Sequence, residues 1–166
     1  MPEWCISIGL IEDGKAVAGG ILNPSTGEEF LGSNETGFQV IDREANSRVR
    51  EFLETKSLLV SRREYSEGKW SRFERRGLPV KPVGSVAYRL AQVAARRAAA
   101  TCTFLPRQEW DVAAGVALVA ASGGRVQTLG GEALAFNRHV PRFENLVALS
   151  SCCDASVFTL LSEAEA

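Results

Sequence analysis

The stretch from Val112 to Ala121 contains no polar side chain, and we expect it to form a helix that lies inside the protein. Asp111 immediately precedes it. In the first turn of a helix a carboxylate meets unpaired backbone N–H groups and the positive end of the helix dipole. Gly123 and Gly124 provide the stop, because glycine accepts the left-handed conformation that closes a helix. The pattern predicts a buried helix whose single entrance carboxylate is bound by backbone amides or by a cation.

The first quarter of the chain predicts an antiparallel meander. Apolar strand patterns cover Trp4–Ile11, Ala16–Leu22 and Glu29–Gly32. The Asp13-Gly14 dipeptide favours a tight hairpin between the first two strands, and Asn23–Gly27 supplies the second turn. Because a buried strand starts almost at the first residue, we expect further chain upstream in an intact protein.

The middle of the chain mixes charged and extended segments. A charged segment, Asp42–Glu54, is expected to be exposed, with a helix after Asp42 as one option, and Ser57–Ser61 is expected to form a short strand. A polar helix is predicted from Glu64 to Arg75; its Trp70 and Phe73 are interpreted as docking onto the core rather than stacking on bases.

A second helix is predicted after Gly84, with Ser85 as its N-cap. From Val86 to Ala99 its polar positions recur with helical spacing, which predicts one narrow solvent-facing stripe. The stripe consists of Arg89, Gln92, Arg96 and Arg97.

The remaining elements complete an alternation of strands and helices. Strands are predicted at Ala100–Leu105, Arg125–Leu129 and Leu146–Ser150, and a final helix at Asp154–Leu161. This order favours an α/β or α+β fold of layered sheets and helices. We expect two parts, residues 1–56 with the meander and residues 57–166 with the buried helix.

Composition narrows the class of protein only moderately. The net charge of −1 over 166 residues gives no general attraction for a nucleic acid polymer or a membrane. Three of the four cysteines lie in apolar surroundings and are interpreted as small buried residues, with Cys152 and Cys153 on a helix wall. Without a recognisable leader or a spanning apolar run, a cytoplasmic location is expected.

Three stretches together resemble the inositol monophosphatase superfamily of Mg²⁺-dependent, lithium-sensitive phosphatases. They are Pro2–Leu10, Gly84–Leu90 and the W-D-x-A-A-G signature within Glu109–Gly115. The strand end Leu59–Arg62 is most similar to the branch of 3′(2′),5′-bisphosphate nucleotidases. The resemblance implies a layered α-β-α-β-α sandwich, here truncated at the N-terminus.

The same resemblance implies roles for individual residues. Asp111 would be a ligand of Mg²⁺, Trp110 would fix its position, and the Gly84-Ser85 corner would face the sugar or inositol ring of the substrate. The implied chemistry is attack of a metal-activated water on a phosphate ester. The substrate would be a phosphorylated small molecule, either a nucleotide or an inositol phosphate.

Departures from the family pattern bear on activity. The other metal ligands of the family come from a Glu and from a D-P-x-D-G-T loop, both upstream of the stretch that matches Pro2–Leu10. The chain contains no D-P-x-D-G-T, so we expect an incomplete metal site and no activity of this chain alone. Arg96 stands where relatives usually have a helix-ending Gly, and Ala99 where they usually have Asp.

Plain structural interpretations compete with several of these roles. The Gly84-Ser85 corner is equally well a turn with an N-cap. Ser61, Arg62, Arg63 and Arg89 could bind a second phosphate, but a solvated charged face is favoured. Glu109 could orient a water or a sugar hydroxyl, but a solvent-facing acid is favoured.

Two functional hypotheses result. The first is a Mg²⁺-dependent phosphatase of phosphate monoesters, inactive as this chain; a fructose-bisphosphatase-type activity stays open beside it. The alternative is a non-catalytic remnant, or a module that binds ligands or complements another chain. Exposed strand edges in the meander also predict self-association.

Overall fold

The computed structural model describes residues 3–42 and 57–163, and its first part is a four-stranded antiparallel sheet. The strands pair in chain order, which confirms the three predicted strands and adds a fourth that the sequence analysis missed. The predicted charged segment beyond Asp42 lies outside the described residues. The strands are β1 (Ile6–Glu12), β2 (Lys15–Asn23), β3 (Glu28–Ser33) and β4 (Gly37–Asp42).

A second, five-stranded sheet follows in the chain. Its strand order is β6-β5-β7-β11-β9, with β5 parallel to both of its neighbours and β11 antiparallel to both of its own. A separate two-stranded ribbon, absent from the predictions, joins β8 to β10. The strands are β5 (Leu58–Val60), β6 (Val80–Pro82), β7 (Ala100–Thr103), β8 (Arg107–Gln108), β9 (Arg125–Gln127), β10 (Arg142–Phe143) and β11 (Leu146–Leu149).

Helices fill the layers beside this second sheet. The polar helix predicted from Glu64 to Arg75 is instead two short helices, because the chain turns at Gly68 with a φ of +75°. Trp70 and Phe73 are buried on the second sheet, as predicted. The helices are α1 (Arg62–Ser66), α2 (Ser71–Glu74), α3 (Val86–Ala94), α4 (Glu109–Ala121) and α5 (Ala155–Ser162).

The predicted buried helix is α4, which packs against α3 and lies between the two sheets. Glycines of the meander allow this close approach. A Cβ added to Gly9 would lie 2.7 Å from the Ala114 backbone N, and one added to Gly19 would lie 2.8 Å from the Ala114 Cα. The helix backbone therefore rests directly on β1 and β2, and this contact sets the position of Asp111.

The structure has four layers, which are in order the four-stranded meander, helices α3 and α4, the five-stranded sheet, and helices α2 and α5. This order matches four layers of the expected α-β-α-β-α sandwich and confirms an α+β fold. Among the described residues no helix covers the outer face of the meander. Ile6, Ile8 and Leu10 are exposed along β1, an edge strand of the described sheet, and Trp4, just before the strand, is exposed as well.

The predicted solvent-facing stripe of α3 is wrong. Arg89 is only 2% exposed and Gln92 is fully buried, while Arg96 alone of the four is exposed. Burial of Arg89 is compensated in part, because a terminal nitrogen donates to the Val83 carbonyl at 3.1 Å. The half-buried Arg97 pairs with Glu28 and donates to Gln92 Oε1 at 3.4 Å. The helix also ends at Ala94, and Arg96 adopts a φ of +56°, the conformation that glycine favours.

Two further expectations concern the cysteines and membranes. Cys152 and Cys153 lie in the turn before α5 rather than on a helix wall, and Cys152 is exposed whereas Cys102 is buried. Of the helices in the described ranges, none is long and apolar enough to cross a membrane. The division into residues 1–56 and 57–166 stays a prediction.

Candidate active-site cleft

A cleft of about 500 Å³ opens where the beginnings of β1, α3 and α4 meet. Three residues singled out from the sequence line it, namely Ser85, Trp110 and Asp111. Ser61, Arg62 and Arg89 are not part of its lining. The fold thus joins the Ser85 corner to the W-D signature, which is 25 residues further along the chain. The lining residues are Cys5, Ser7, Ser85, Val86, Ala87, Trp110 and Asp111.

Asp111 lies exposed in the first turn of α4. Within the described ranges its carboxylate has no hydrogen bond or ion pair, so the backbone amides do not bind it there. The interpretation as a satisfied helix-start carboxylate is therefore not supported by the geometry. Trp110 is 63% exposed and lines the cleft together with Asp111.

Ser85 is the N-cap of α3, as predicted. Its Oγ accepts from the Tyr88 backbone N at 3.3 Å and lies 3.3 Å from the Cys5 Sγ. The residue adopts a φ of +50°, which turns the chain sharply between β6 and α3. Burial raises the pKa of the Cys5 thiol, so Cys5 serves as a neutral hydrogen-bonding partner of the cap.

Ser7 is a cleft residue that the sequence analysis missed. Its Oγ is buried and has no hydrogen-bond partner among the described residues. Ser7 occupies an inward-facing position of β1, since Ser7 pairs with the buried Ile21 of β2. The sequence did contain a signal for Ser7, because a polar residue at an inward-facing position of an alternating strand is unusual.

Arg62 and Gly84 lie near the cleft and converge on Glu3, another residue that was not predicted. The Arg62 Nε donates to Glu3 Oε2 at 2.8 Å, its terminal N donates to Oε1, and the Gly84 backbone N–H donates to Oε2. Burial raises the pKa of Glu3, but the hydrogen bonds from Arg62 and Gly84 outweigh it, and the net pKa is lowered.

Arg89 is buried beneath Gly84 and donates to the carbonyl of the preceding residue, Val83. Its pKa is lowered to about 10, first by burial and then by the neighbouring Arg107, while Glu64 acts in the opposite direction. Glu64 is itself fully buried; its Oε1 accepts from Thr103 Oγ1 at 2.7 Å and from two backbone amides. A solvated charged face is thus the wrong interpretation for Arg89, and a direct phosphate contact stays a prediction.

Glu109 is not the solvent-facing acid that was expected. It is 7% exposed, and its carboxylate accepts from the Asn137 backbone N at 2.7 Å and from the Arg138 Nε at 3.0 Å. Asn137 has a φ of +61°, so Glu109 stabilises a tight turn of the distant loop. These hydrogen bonds from Asn137 and Arg138 to Glu109 hold the first turn of α4, which also carries Trp110 and Asp111.

The residues of the cleft do not amount to a complete magnesium site. Within residues 3–42 and 57–163, no group of three or more His, Cys, Asp or Glu side chains is placed to hold a metal ion. Mg²⁺ prefers near-octahedral oxygen coordination. The cleft offers one carboxylate, Asp111, and the hydroxyls of Ser7 and Ser85. The donor set is therefore only part of the one implied by the family resemblance.

Comparisons with known proteins agree with this fold. The model of the inositol monophosphatase family matches residues 1–158. No curated protein sequence is significantly similar to the chain.

Solved structures extend the comparison. An inositol monophosphatase from Anabaena (Nostoc) is 30% identical, with a TM-score of 0.68 over 99% of this chain and 66% of its own. CysQ from Bacteroides thetaiotaomicron, a bacterial member of the family, is 21% identical, with a TM-score of 0.74 over 90% and 64%. SaIMPase-II with 2′AMP bound is 19% identical, with a TM-score of 0.73 over 97% and 62%. The chain therefore spans a little under two thirds of the length of these proteins.

Proposed function

The chain belongs to the inositol monophosphatase family, and from this premise we propose that its cleft recognises phosphate monoesters of a nucleotide or an inositol. Hydrolysis in such a family member would be Mg²⁺-dependent, and the nearest branch would be the bisphosphate nucleotidases. The relative with 2′AMP bound supports a nucleotide as one ligand class. A cytoplasmic location accompanies this proposal.

One observation carries the proposal, namely that Asp111, Trp110 and Ser85 line the same cleft. The exposed indole of Trp110 offers a flat apolar surface for a base or an inositol ring. Ser85, the N-cap of α3, lines the same space. An unpaired carboxylate such as Asp111 repels a phosphate unless a cation lies between them, so it is suited to a metal-assisted site and not to direct phosphate binding.

We propose that the 166-residue chain alone does not complete the reaction. The described residues offer one carboxylate where the family pattern implies several, and the sequence contains no D-P-x-D-G-T loop. The cleft residues of this chain supply no metal-dependent step on their own. Their role is to bind and orient the ester.

The experiment is a binding titration followed by NMR of the tryptophan indole N–H groups. Adenosine 3′,5′-bisphosphate and inositol 1-phosphate are added with and without Mg²⁺, and the Trp110 signal is assigned with Trp110→Phe. We expect a saturable shift of the Trp110 signal, with Trp70 as the internal control because it is buried on the other side of the second sheet. Equal shifts of both signals, or none, would contradict ligand binding in the cleft.

A second candidate is a non-catalytic module of the same fold that binds ligands or complements another chain. The incomplete donor set among the described residues favours it. The two candidates differ when the missing ligands are supplied. Co-expression with a segment carrying the family's upstream Glu and D-P-x-D-G-T loop should produce Mg²⁺-dependent turnover for the first candidate and none for a drifted remnant.

A further inference from the structure

We propose that the Arg62 guanidinium and the Gly84 backbone N–H form an oxyanion-binding site whose internal ligand is the Glu3 carboxylate. Removing that carboxylate should open the site to a phosphate. This proposal rests on the proposed function in one respect, namely the identity of the phosphate ester whose phosphate group would bind here. The binding of inorganic phosphate itself needs neither metal nor turnover.

The geometry is that of a bound oxyanion. Arg62 approaches Glu3 with two nitrogens, Nε on one carboxylate oxygen and a terminal nitrogen on the other. The Gly84 N–H donates to the oxygen that also receives the Nε. A guanidinium fork presents the same donors to two phosphate oxygens. The three donors thus fit either anion, and only one can be present.

Gly84 matters to the site for its lack of a side chain. A Cβ at this position would lie 2.7 Å from Glu3 Oε2 and would push the anion off the amide. The neighbouring Ser85 lines the cleft described above. The oxyanion site therefore lies at the edge of the cleft, within one residue of its wall.

The surrounding charges favour an anion. Arg89 lies beneath the corner, where its terminal nitrogen donates to the Val83 carbonyl, one residue before Gly84. Its Nε is buried and lacks a hydrogen-bond partner within the described ranges. The Glu3 charge acts on the Arg89 guanidinium, so the two groups are electrostatic neighbours. Arg62 is half exposed in the ion pair whereas Glu3 is mostly covered, which leaves the cation accessible from solvent.

The test compares inorganic phosphate binding by wild type, Glu3→Ala and Glu3→Ala/Arg62→Met, measured by ³¹P NMR titration and by the Gly84 amide shift in metal-free buffer. Loss of a competing carboxylate with charge-assisted hydrogen bonds should tighten phosphate binding at least about tenfold. Adding Arg62→Met should return the affinity to the wild-type value or below.

Glu67→Ala is the matched control. Glu67 is an exposed acid paired with Arg63 and Lys69, but it receives no backbone N–H in these pairs. Its removal frees two surface cations, so a nonspecific charge effect would tighten phosphate binding in this variant too; we expect a change below about twofold. If Glu3→Ala does not fold, Glu3→Ser replaces it, since its short side chain also withdraws the carboxylate oxygens from Arg62 and Gly84. Binding that is no tighter without the Glu3 charge, or that survives Arg62→Met, would overturn the proposal. Because the readout is phosphate alone, failure here leaves the test of ester binding at Trp110 independent.

Discussion

Gly19→Ala should strongly destabilise the protein, because the new Cβ would press on the backbone of the central helix. The added atom would lie 2.8 Å from the Ala114 Cα and 2.9 Å from its carbonyl carbon, and closer still to the carbonyl oxygen. Carbon atoms pack best at about 3.5–4.0 Å, so the strand or the helix must move by most of an ångström. Overpacking against side chains lowers the free energy of unfolding by about 1–3 kcal/mol. Since the helix backbone yields less than a side chain, we expect Gly19→Ala to lower the free energy of unfolding by about 3 kcal/mol or more.

Gly20→Ala is the matched control on the next residue of β2. Its Cβ would point to the opposite face of the sheet and meet only the tip of Leu31, at 3.2 Å. We expect a change within about 1 kcal/mol, because the loss of chain entropy in the unfolded state offsets this mild contact. Urea unfolding followed by circular dichroism should separate the two variants, and the melting temperature of Gly19→Ala should fall by about 6–12 °C. Equal midpoints would refute the direct contact between α4 and the sheet.

Three further predictions test the surroundings of the cleft. Glu109→Gln should lower the free energy of unfolding, measured by urea unfolding, by about 1.5–3 kcal/mol, because a buried charged acceptor is lost. The control is Glu144→Gln at an exposed position, which should change the free energy of unfolding by less than about 0.5 kcal/mol. The lowered pKa of Glu3 means that its stabilisation is present above the ordinary carboxyl pKa and is lost as the pH falls through the folded value. The difference in unfolding free energy between wild type and Glu3→Gln should therefore shrink from about pH 5 to pH 3, and a constant difference would contradict the shift. Self-association through the exposed β1 face should appear in sedimentation velocity as concentration-dependent species that Ile8→Lys reduces, whereas a monodisperse wild-type monomer would count against it.

Local patterns were sufficient for most of the elements around the cleft. The apolar run predicted α4, the Asp13-Gly14 dipeptide predicted the first hairpin, and Ser85 was recognised as an N-cap. These features depend on neighbours in the sequence, which a single chain displays directly. The strand β4 was missed because Gly37–Asp42 stands next to a charged segment and shows no strong alternation.

The errors at the two buried charged residues share one physical cause, which is pairing between residues distant in sequence. Arg89 and Glu109 look like solvent-facing charges, yet both are buried because the fold supplies a carbonyl or a loop amide for each. Helical periodicity cannot reveal a partner on another element. The contact between Glu3 and Gly84, 81 residues apart, was equally invisible, although both residues were within the stretches that resemble the family.

Our central proposal is that this chain holds the ester-recognising part of a family phosphatase cleft, with an incomplete metal site among residues 3–42 and 57–163. The direct measurement is release of inorganic phosphate from adenosine 3′,5′-bisphosphate and inositol 1-phosphate by the purified 166-residue chain in Mg²⁺, beside Asp111→Asn. The account predicts no Mg²⁺-dependent release by either protein. Turnover by the wild type that Asp111→Asn abolishes would contradict it.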